Sequence, residues 1–239
     1  MAIGDVRPVD LAGVEGVHYV DVGIFETPGY TSVYLLDAER PAVVDTGIGK
    51  RPELILDALG ELGIAPDALE WIVPTHAHLD HAGGAGYLAE ACPNATVAVP
   101  EVGAPHLIDP ERLVEGTKRV VGDAWRHYAE PVPIPDERVR PLADGDAIDL
   151  GERRLEVHHA PGHAPHQCFF HEPGQAVVYT ADAAGIYVPA RDAVLPTTPP
   201  PNFDLEQCLA DAERLGALEP DVLCYPHFGP TRTEERLDA

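Results

Sequence analysis

Three imidazoles and a carboxylate crowd one short stretch of the chain, Thr75-His76-Ala77-His78-Leu79-Asp80-His81. Imidazole nitrogen and carboxylate oxygen suit zinc and similar divalent ions. The apolar run Trp71-Ile72-Val73-Pro74 precedes the stretch and reads as a buried strand. Gly83-Gly84 and a short helical pattern through Tyr87 and Leu88 follow it. The stretch is therefore a strand-to-helix loop. In an extended segment, residues two apart point the same way, so His76 and His78 can share one ion. The chain then turns, and Asp80 and His81 face a neighbouring point. Spacing alone also allows Asp80 to be a helix N-cap.

The elements that position this loop can be read along the chain. Val17 to Phe25 and Thr31 to Leu36 read as strands joined by Glu26-Thr27-Pro28-Gly29, and Ala42-Val43-Val44 as a short buried strand ending at Asp45. Pro52 to Leu62 reads as a helix with Leu54, Ile55, Ala58, Leu59 and Leu62 on one face, stopped by Gly63. After a strand at Thr96 to Val99, Asp109 can cap a helix and Pro110 can open it. Leu113, Val114, Val120, Val121, Ala124, Trp125 and Tyr128 fall on one helical face. Arg138 to Leu150 reads as two short strands around an Asp144-Gly145 turn. Arg154 to His159 is a strand, and neither His158 nor His159 is read as a ligand. Gln175 to Thr180 is a strand leading to Asp182. Residues 183 to 202 read as a Pro-rich loop (Pro189, Pro196, Pro199, Pro200, Pro201), too long to be idle. Asn202 or Asp204 can cap a last helix through Leu215, and Asp221 to Tyr225 is a final strand bringing in His227.

The chain has 239 residues, 40 Asp and Glu against 16 Lys and Arg, and a formal net charge of −24. Its only lysines are Lys50 and Lys118. Such a field repels nucleic-acid phosphates and anionic lipid heads, so neither a nucleic acid nor a membrane is an expected partner. An acidic surface with scarce lysine also suits solubility in concentrated salt. There is no apolar stretch near the ~18 residues of a membrane span. The start, Met1-Ala2-Ile3-Gly4-Asp5, has no leader pattern. Cys92, Cys168, Cys208 and Cys224 show no Cys-x-x-Cys spacing and read as buried, reduced thiols. The expectation is a cytoplasmic protein; the sequence also allows a homodimer.

The metal loop resembles the His-x-His-x-Asp-His signature of the metallo-β-lactamase superfamily. Asp45-Thr46-Gly47 matches that family's Asp-x-Gly turn, Pro161-Gly162-His163 its third-His loop, Thr180-Ala181-Asp182 its bridging-Asp position, and Pro226-His227-Phe228-Gly229 its last-His position. These landmarks occur in the family's order over nearly the whole chain, and the glyoxalase II-like hydrolases are the closest branch by pattern. The resemblance implies an α/β fold, a four-layer αββα sandwich with the site at one edge between the sheets. It implies one domain over residues 1–239, with an insertion at about 101–136 of the kind that walls substrate pockets in the family, which makes His106, Trp125, His127 and Tyr128 candidates to line a pocket. The extra helical C-terminal domain of full-length glyoxalase II is not expected.

The resemblance also implies two metal ions, zinc by default, with iron or manganese acceptable. His76, His78 and His163 would hold the first, Asp80, His81 and His227 the second, and Asp182 would bridge them. Asp80 and Asp182 are the catalytic candidates. Asp45 takes a supporting place beside the ligands. His166 and Tyr187 are candidates for supporting or substrate contacts. Glyoxalase-like proteins commonly read Pro-Gly-His-x-Pro-Gly-His; here the second glycine is missing and His166 stands one place forward. The implied activity is hydrolysis of a small ester or thioester by a metal-activated hydroxide. Zinc β-lactamases usually carry Cys or Ser where Asp182 stands. Lactonases often carry Tyr where Gly185 stands, and the nearest tyrosine here is Tyr187. The alternatives are a mononuclear-iron persulfide dioxygenase of the same superfamily, a phosphodiesterase or nuclease, and a metal-binding module without catalysis.

Overall fold

The computed structural model describes residues 1–199 and 201–233. Two mixed sheets pack face to face. Strands β1 (Val6–Pro8), β2 (Val17–Asp21), β3 (Ser32–Leu36), β4 (Ala42–Val44), β5 (Trp71–Val73), β6 (Thr96–Pro100) and β7 (Val139–Leu142) pair in that order to form the first sheet. Its first four strands are antiparallel; β4 to β7 run parallel. The second sheet contains β8 (Ala147–Asp149), β9 (Arg154–His159), β10 (Cys168–Glu172), β11 (Val177–Tyr179), β14 (Val222–Tyr225) and β15 (Gly229–Arg232), ordered β15-β14-β11-β10-β9-β8. Its one parallel pair is β11 with β14. In sequence between β11 and β14 comes a separate hairpin, β12 (Ile186–Val188) with β13 (Ala193–Leu195).

Burial follows the four layers. Tyr34, Val44, Val73, Phe170, Tyr179 and Cys224 fill the space between the sheets. The other face of the first sheet is covered by α1 (Pro52–Glu61) and α3 (Ala85–Ala91), which insert Ile55, Leu59 and Leu88. The outer face of the second sheet is covered by α6 (Leu205–Gly216), whose Leu215 meets Phe169, Val178 and Leu223. This is the expected αββα sandwich. Helix α1 begins where read: Pro52 occupies its first turn, and Gly63 past its end takes φ +77°, a left-handed value glycine adopts freely.

Several local readings differ from the structure. The strand from Val17 stops at Asp21, not Phe25, because Gly23 and Phe25 adopt left-handed dihedrals. There Asp21 accepts hydrogen bonds from the Gly23 and Gly29 amides. The apolar face read through Tyr128 is not one helix. Helix α5 (Glu111–Val121) ends at Gly122, with φ +55°, and a 3-10 turn carries Gly122–His127. Pro110 takes the cap position, and Asp109 accepts from the Glu111 amide. The strands around Asp144-Gly145 are not a hairpin: β7 pairs with β6 and β8 with β9, so the turn carries the chain from one sheet to the other. The Pro-rich loop contains the β12–β13 hairpin; Pro200 lies outside the described residues. Strands β1, β10 and β15 had no counterpart in the sequence reading. Among the described residues the four cysteines form no disulfide, and no helix is long and apolar enough to cross a membrane.

Candidate metal centre

Both sheets bring residues to the centre at the carboxyl ends of their parallel strands, the usual ligand-binding edge of such sheets. Asp45 follows β4, and the loop from Thr75 to His81 follows β5. Asp182 follows β11, and His227 follows β14. His163 lies in the loop between β9 and β10. All seven predicted ligands meet at this edge. His76, His78 and His163 bring one ligand atom each within 4.8 Å of one another, and so do Asp80, His81 and His227. The segment over His76 and Ala77 is bent rather than extended, yet it places His76 Nε2 2.9 Å from His78 Nδ1. His163 Nε2 is 3.2 Å from the same His78 atom. In the second set His227 Nε2 lies 3.3 Å from His81 Nε2 and 3.6 Å from Asp80 Oδ2. Asp182 stands between the sets. Its Oδ2 is 3.2 Å from His163 Nε2 and 3.7 Å from His81 Nε2, and its Oδ1 is 3.9 Å from His227 Nε2. Asp80 is not a helix cap: the short helix α2 (Leu79–Ala82) has His78 at its N-cap.

Asp45 holds two of the imidazoles, His81 directly and His76 through Thr75. Its Oδ2 is 2.9 Å from His81 Nδ1. Its Oδ1 accepts from the Thr75 amide and hydroxyl, at 2.8 and 2.9 Å. Since the Thr75 hydroxyl proton goes to Asp45, its oxygen is free to accept from His76 Nδ1 at 3.1 Å. A carbonyl only accepts, so His227 Nδ1–H donates to the Tyr30 carbonyl at 2.9 Å. Each of these rings thus turns its Nε2 inward, the arrangement by which outer partners fix metal-binding imidazoles.

The two sets differ electrically. Burial and the neighbouring imidazoles hold His76 well below its ordinary pKa. Burial brings His78 down to about 4 and lowers His163. Burial also opposes charge on His81, but Asp45, Asp80 and Asp182 overcome it and raise the ring to about 10. Burial would lift Asp80; His81 and His227 instead hold it well below the usual carboxylate range. The first set presents neutral lone pairs, and the second presents positive charge among carboxylates. The donor chemistry fits divalent cations: converging neutral nitrogens cannot all satisfy one another, and Asp182 Oδ1 is buried without a hydrogen bond among the described residues.

A cleft of about 360 Å³ opens over the centre, within the usual range for small-molecule sites. It contains His78, Asp80, His163 and Asp182, with Leu113, Val120 and Val121 from α5 as an apolar wall and Arg112 as a cation. His106 and Tyr128 line it as anticipated. His166 lines it too, and its Nδ1 accepts from the Ala77 amide at 3.3 Å. Trp125 and His127 are outside the cleft: Trp125 stacks on Tyr128, and His127 packs edge-on against Phe25. Tyr187 does not reach it either. Its ring meets Tyr225, while its backbone brackets the last-His segment by accepting from the Phe228 amide and donating to the His227 carbonyl. Arg112 and Tyr30 belong to the site without any motif to announce them; Tyr30 is edge-on to His227 at 5.7 Å. Both lysines fasten the segment beside the cleft. Lys50 Nζ donates to the Arg126 carbonyl, and Lys118 Nζ pairs with Glu130 at 2.7 Å while covering the Trp125 ring.

Comparison with known proteins agrees with this architecture. Residues 27–227 match the family described as the metallo-beta-lactamase superfamily, and the chain belongs to it. A metallo-β-lactamase-fold protein of Sulfurisphaera tokodaii is 28 % identical over 93 % of this chain and 83 % of its own length. The crystal structure of an archaeal member from Sulfolobus tokodaii superposes with a TM-score of 0.79 at 25 % identity, covering 94 % of this chain and 84 % of the other. An acyl-coenzyme A thioesterase of Gallus gallus is 30 % identical over 70 % of this chain; the chain spans 62 % of that protein's length.

Proposed function

We propose that this protein is a hydrolase with a two-zinc centre that opens small thioesters or esters. The observation that carries the reading is Asp182, whose two oxygens face both ligand sets. A carboxylate so placed suits two cations a few ångströms apart. The similarity to an acyl-coenzyme A thioesterase supports the thioester as first choice. When bound, two such ions supply hydroxide near neutral pH and stabilise charge developing on the carbonyl oxygen and the leaving thiolate. Asp80, at the cleft floor beside His81 and His227, orients the attacking water and holds its proton. The α5 wall excludes water from the acyl chain, and Arg112 attracts an anionic part of the substrate. The partner is a small molecule; a net charge of −24 opposes nucleic acid.

Metal analysis by plasma emission beside a panel of acyl thioesters and simple esters tests the proposal. The expected result is two ions per chain lost when the cleft ligands are replaced, and release of free thiol. One iron with oxygen consumption on a persulfide would replace this reading with the dioxygenase. Bound ions without turnover of any thioester, ester or phosphodiester would leave a binding module.

A further inference from the structure

A second constellation lies on the outer side of the second sheet, outside the cleft. Glu156 and His158 are two apart on β9 and so share a face. Leu155 and Val157 point the opposite way, into the core between the sheets. Strand β10 runs antiparallel to β9, in a register that sets His171 opposite Glu156 and Phe169 opposite His158. Glu156, His158 and His171 each bring a ligand atom within 4.8 Å of the other two. His171 Nδ1 is 3.5 Å from Glu156 Oε2. A tetrahedral ion with bonds of roughly 2.1 Å separates its ligands by about 3.4 Å.

Two ring nitrogens here are orphaned: His158 Nε2 and His171 Nδ1 are buried and make no hydrogen bond among the described residues, and His171 as a whole is 8 % exposed. Buried polar atoms are satisfied as a rule, so two orphans beside one carboxylate mark a place for a ligand. The surroundings prepare them. Arg154 occupies Glu156 Oε1, at 2.7 and 3.0 Å, and leaves Oε2 toward His171. The His158 ring lies flat on Phe169, 4.9 Å between centres and 9° between planes. Burial and the adjacent His171 lower the His158 pKa.

We propose that Glu156, His158 and His171 form a separate divalent-metal site of zinc type, which ties β9 to β10. Two imidazoles and one carboxylate favour zinc, cobalt or nickel over magnesium or calcium, and leave a fourth position for water. The two strands it joins are those that flank residues 160–167, the loop carrying His163 and His166. An ion here braces the base of that loop. The proposal does not depend on what the cleft hydrolyses or on how many ions it holds.

The test compares the full-length wild type with Glu156→Gln and His158→Gln. Each is dialysed to equilibrium against micromolar zinc and analysed by plasma emission. Circular dichroism and melting with chelator present verify the fold. Each variant is expected to hold one zinc fewer per chain than wild type, and zinc should raise the melting temperature of wild type by more than that of either variant. Glu156 is partly exposed, so its variant keeps the test valid should His158→Gln fail to fold. Equal zinc content in wild type and Glu156→Gln, with equal melting shifts, overturns the proposal and assigns any surplus zinc to the acidic surface.

Discussion

The two sheets supply one centre by different routes. The first sheet gives four donors from one contiguous loop, His76 to His81, braced by Asp45 immediately after β4. The second sheet gives three donors from three connections: His163 between β9 and β10, Asp182 after β11, and His227 after β14. Its loops are held by long-range partners. The Gly162 amide donates to Asp211 of α6, the Asp182 amide to the Gln167 side chain, and the His227 carbonyl accepts from Tyr187 of the hairpin. The first half of the centre is local chemistry on a rigid edge. The second half is an assembly, as good as the docking of α6 and of the β12–β13 hairpin.

The largest expected effect falls where the halves join. Asp182→Ala should lower metal content by one ion per chain and cut thioester hydrolysis on the order of 100-fold or more, as for loss of a strong electrostatic contribution. Circular dichroism should be unchanged, because the residue lies at the edge of the sandwich. A variant that keeps both ions and full rate would remove Asp182 from the junction. Asp45→Ala attacks the first half through its brace. It leaves His81 and Thr75 without their buried partner and should destabilise by about 3 kcal/mol in chemical denaturation. Metal affinity should fall by roughly 10- to 100-fold. Unchanged zinc affinity would mean that the loop orients its own histidines.

Gly162→Ala attacks the second half through docking. An added Cβ would stand 2.3 Å from the Cys208 amide nitrogen, so α6 or the His163 loop must move. A loss of about 1–3 kcal/mol is expected, with weaker metal binding in the same variant; an intact centre would show that the loop does not depend on α6. Salt acts on the surface of both halves. With 40 acidic side chains in the sequence, the melting temperature should rise by a few degrees between dilute and molar KCl, where the screening length shrinks to about 3 Å. A flat or falling trend would contradict a surface suited to high salt. The smallest effect is opposite in sign. Gly60 lies inside α1 with nothing within 4 Å of an added Cβ, and Gly60→Ala should stabilise by about 0.5–1 kcal/mol without touching the centre.

The same contrast explains what could be read in advance. The metal loop was legible because its donors are adjacent and their types have one common chemistry. Asp45, His163, Asp182 and His227 were reached through their resemblance to family landmarks, since spacings of tens of residues carry no geometry by themselves. The β4, β6 and β14 strands were legible as short apolar runs. Strand β10 was not, because His171 and Glu172 break the apolar pattern of Cys168-Phe169-Phe170, although all five are buried. Strand β15, Gly229-Pro230-Thr231-Arg232, has neither alternation nor β-branched enrichment and forms by pairing with β14. The Asp144-Gly145 turn looked like a hairpin because sequence cannot say which sheet each flanking strand joins. Tyr187 was singled out by its nearness in sequence to Asp182, yet strand pairing aims its ring at Tyr225.

The pairing of Lys50 and Lys118 has a practical consequence. Both ammonium groups fasten the segment from Arg126 to Glu130 that presents Tyr128 to the cleft. Reagents that acylate amines find no other side-chain amine in this sequence. Acylation would neutralise both clasps at once and loosen one wall of the cleft while leaving every metal donor unmodified. Acylation of these two amines would here work as a perturbation of substrate access.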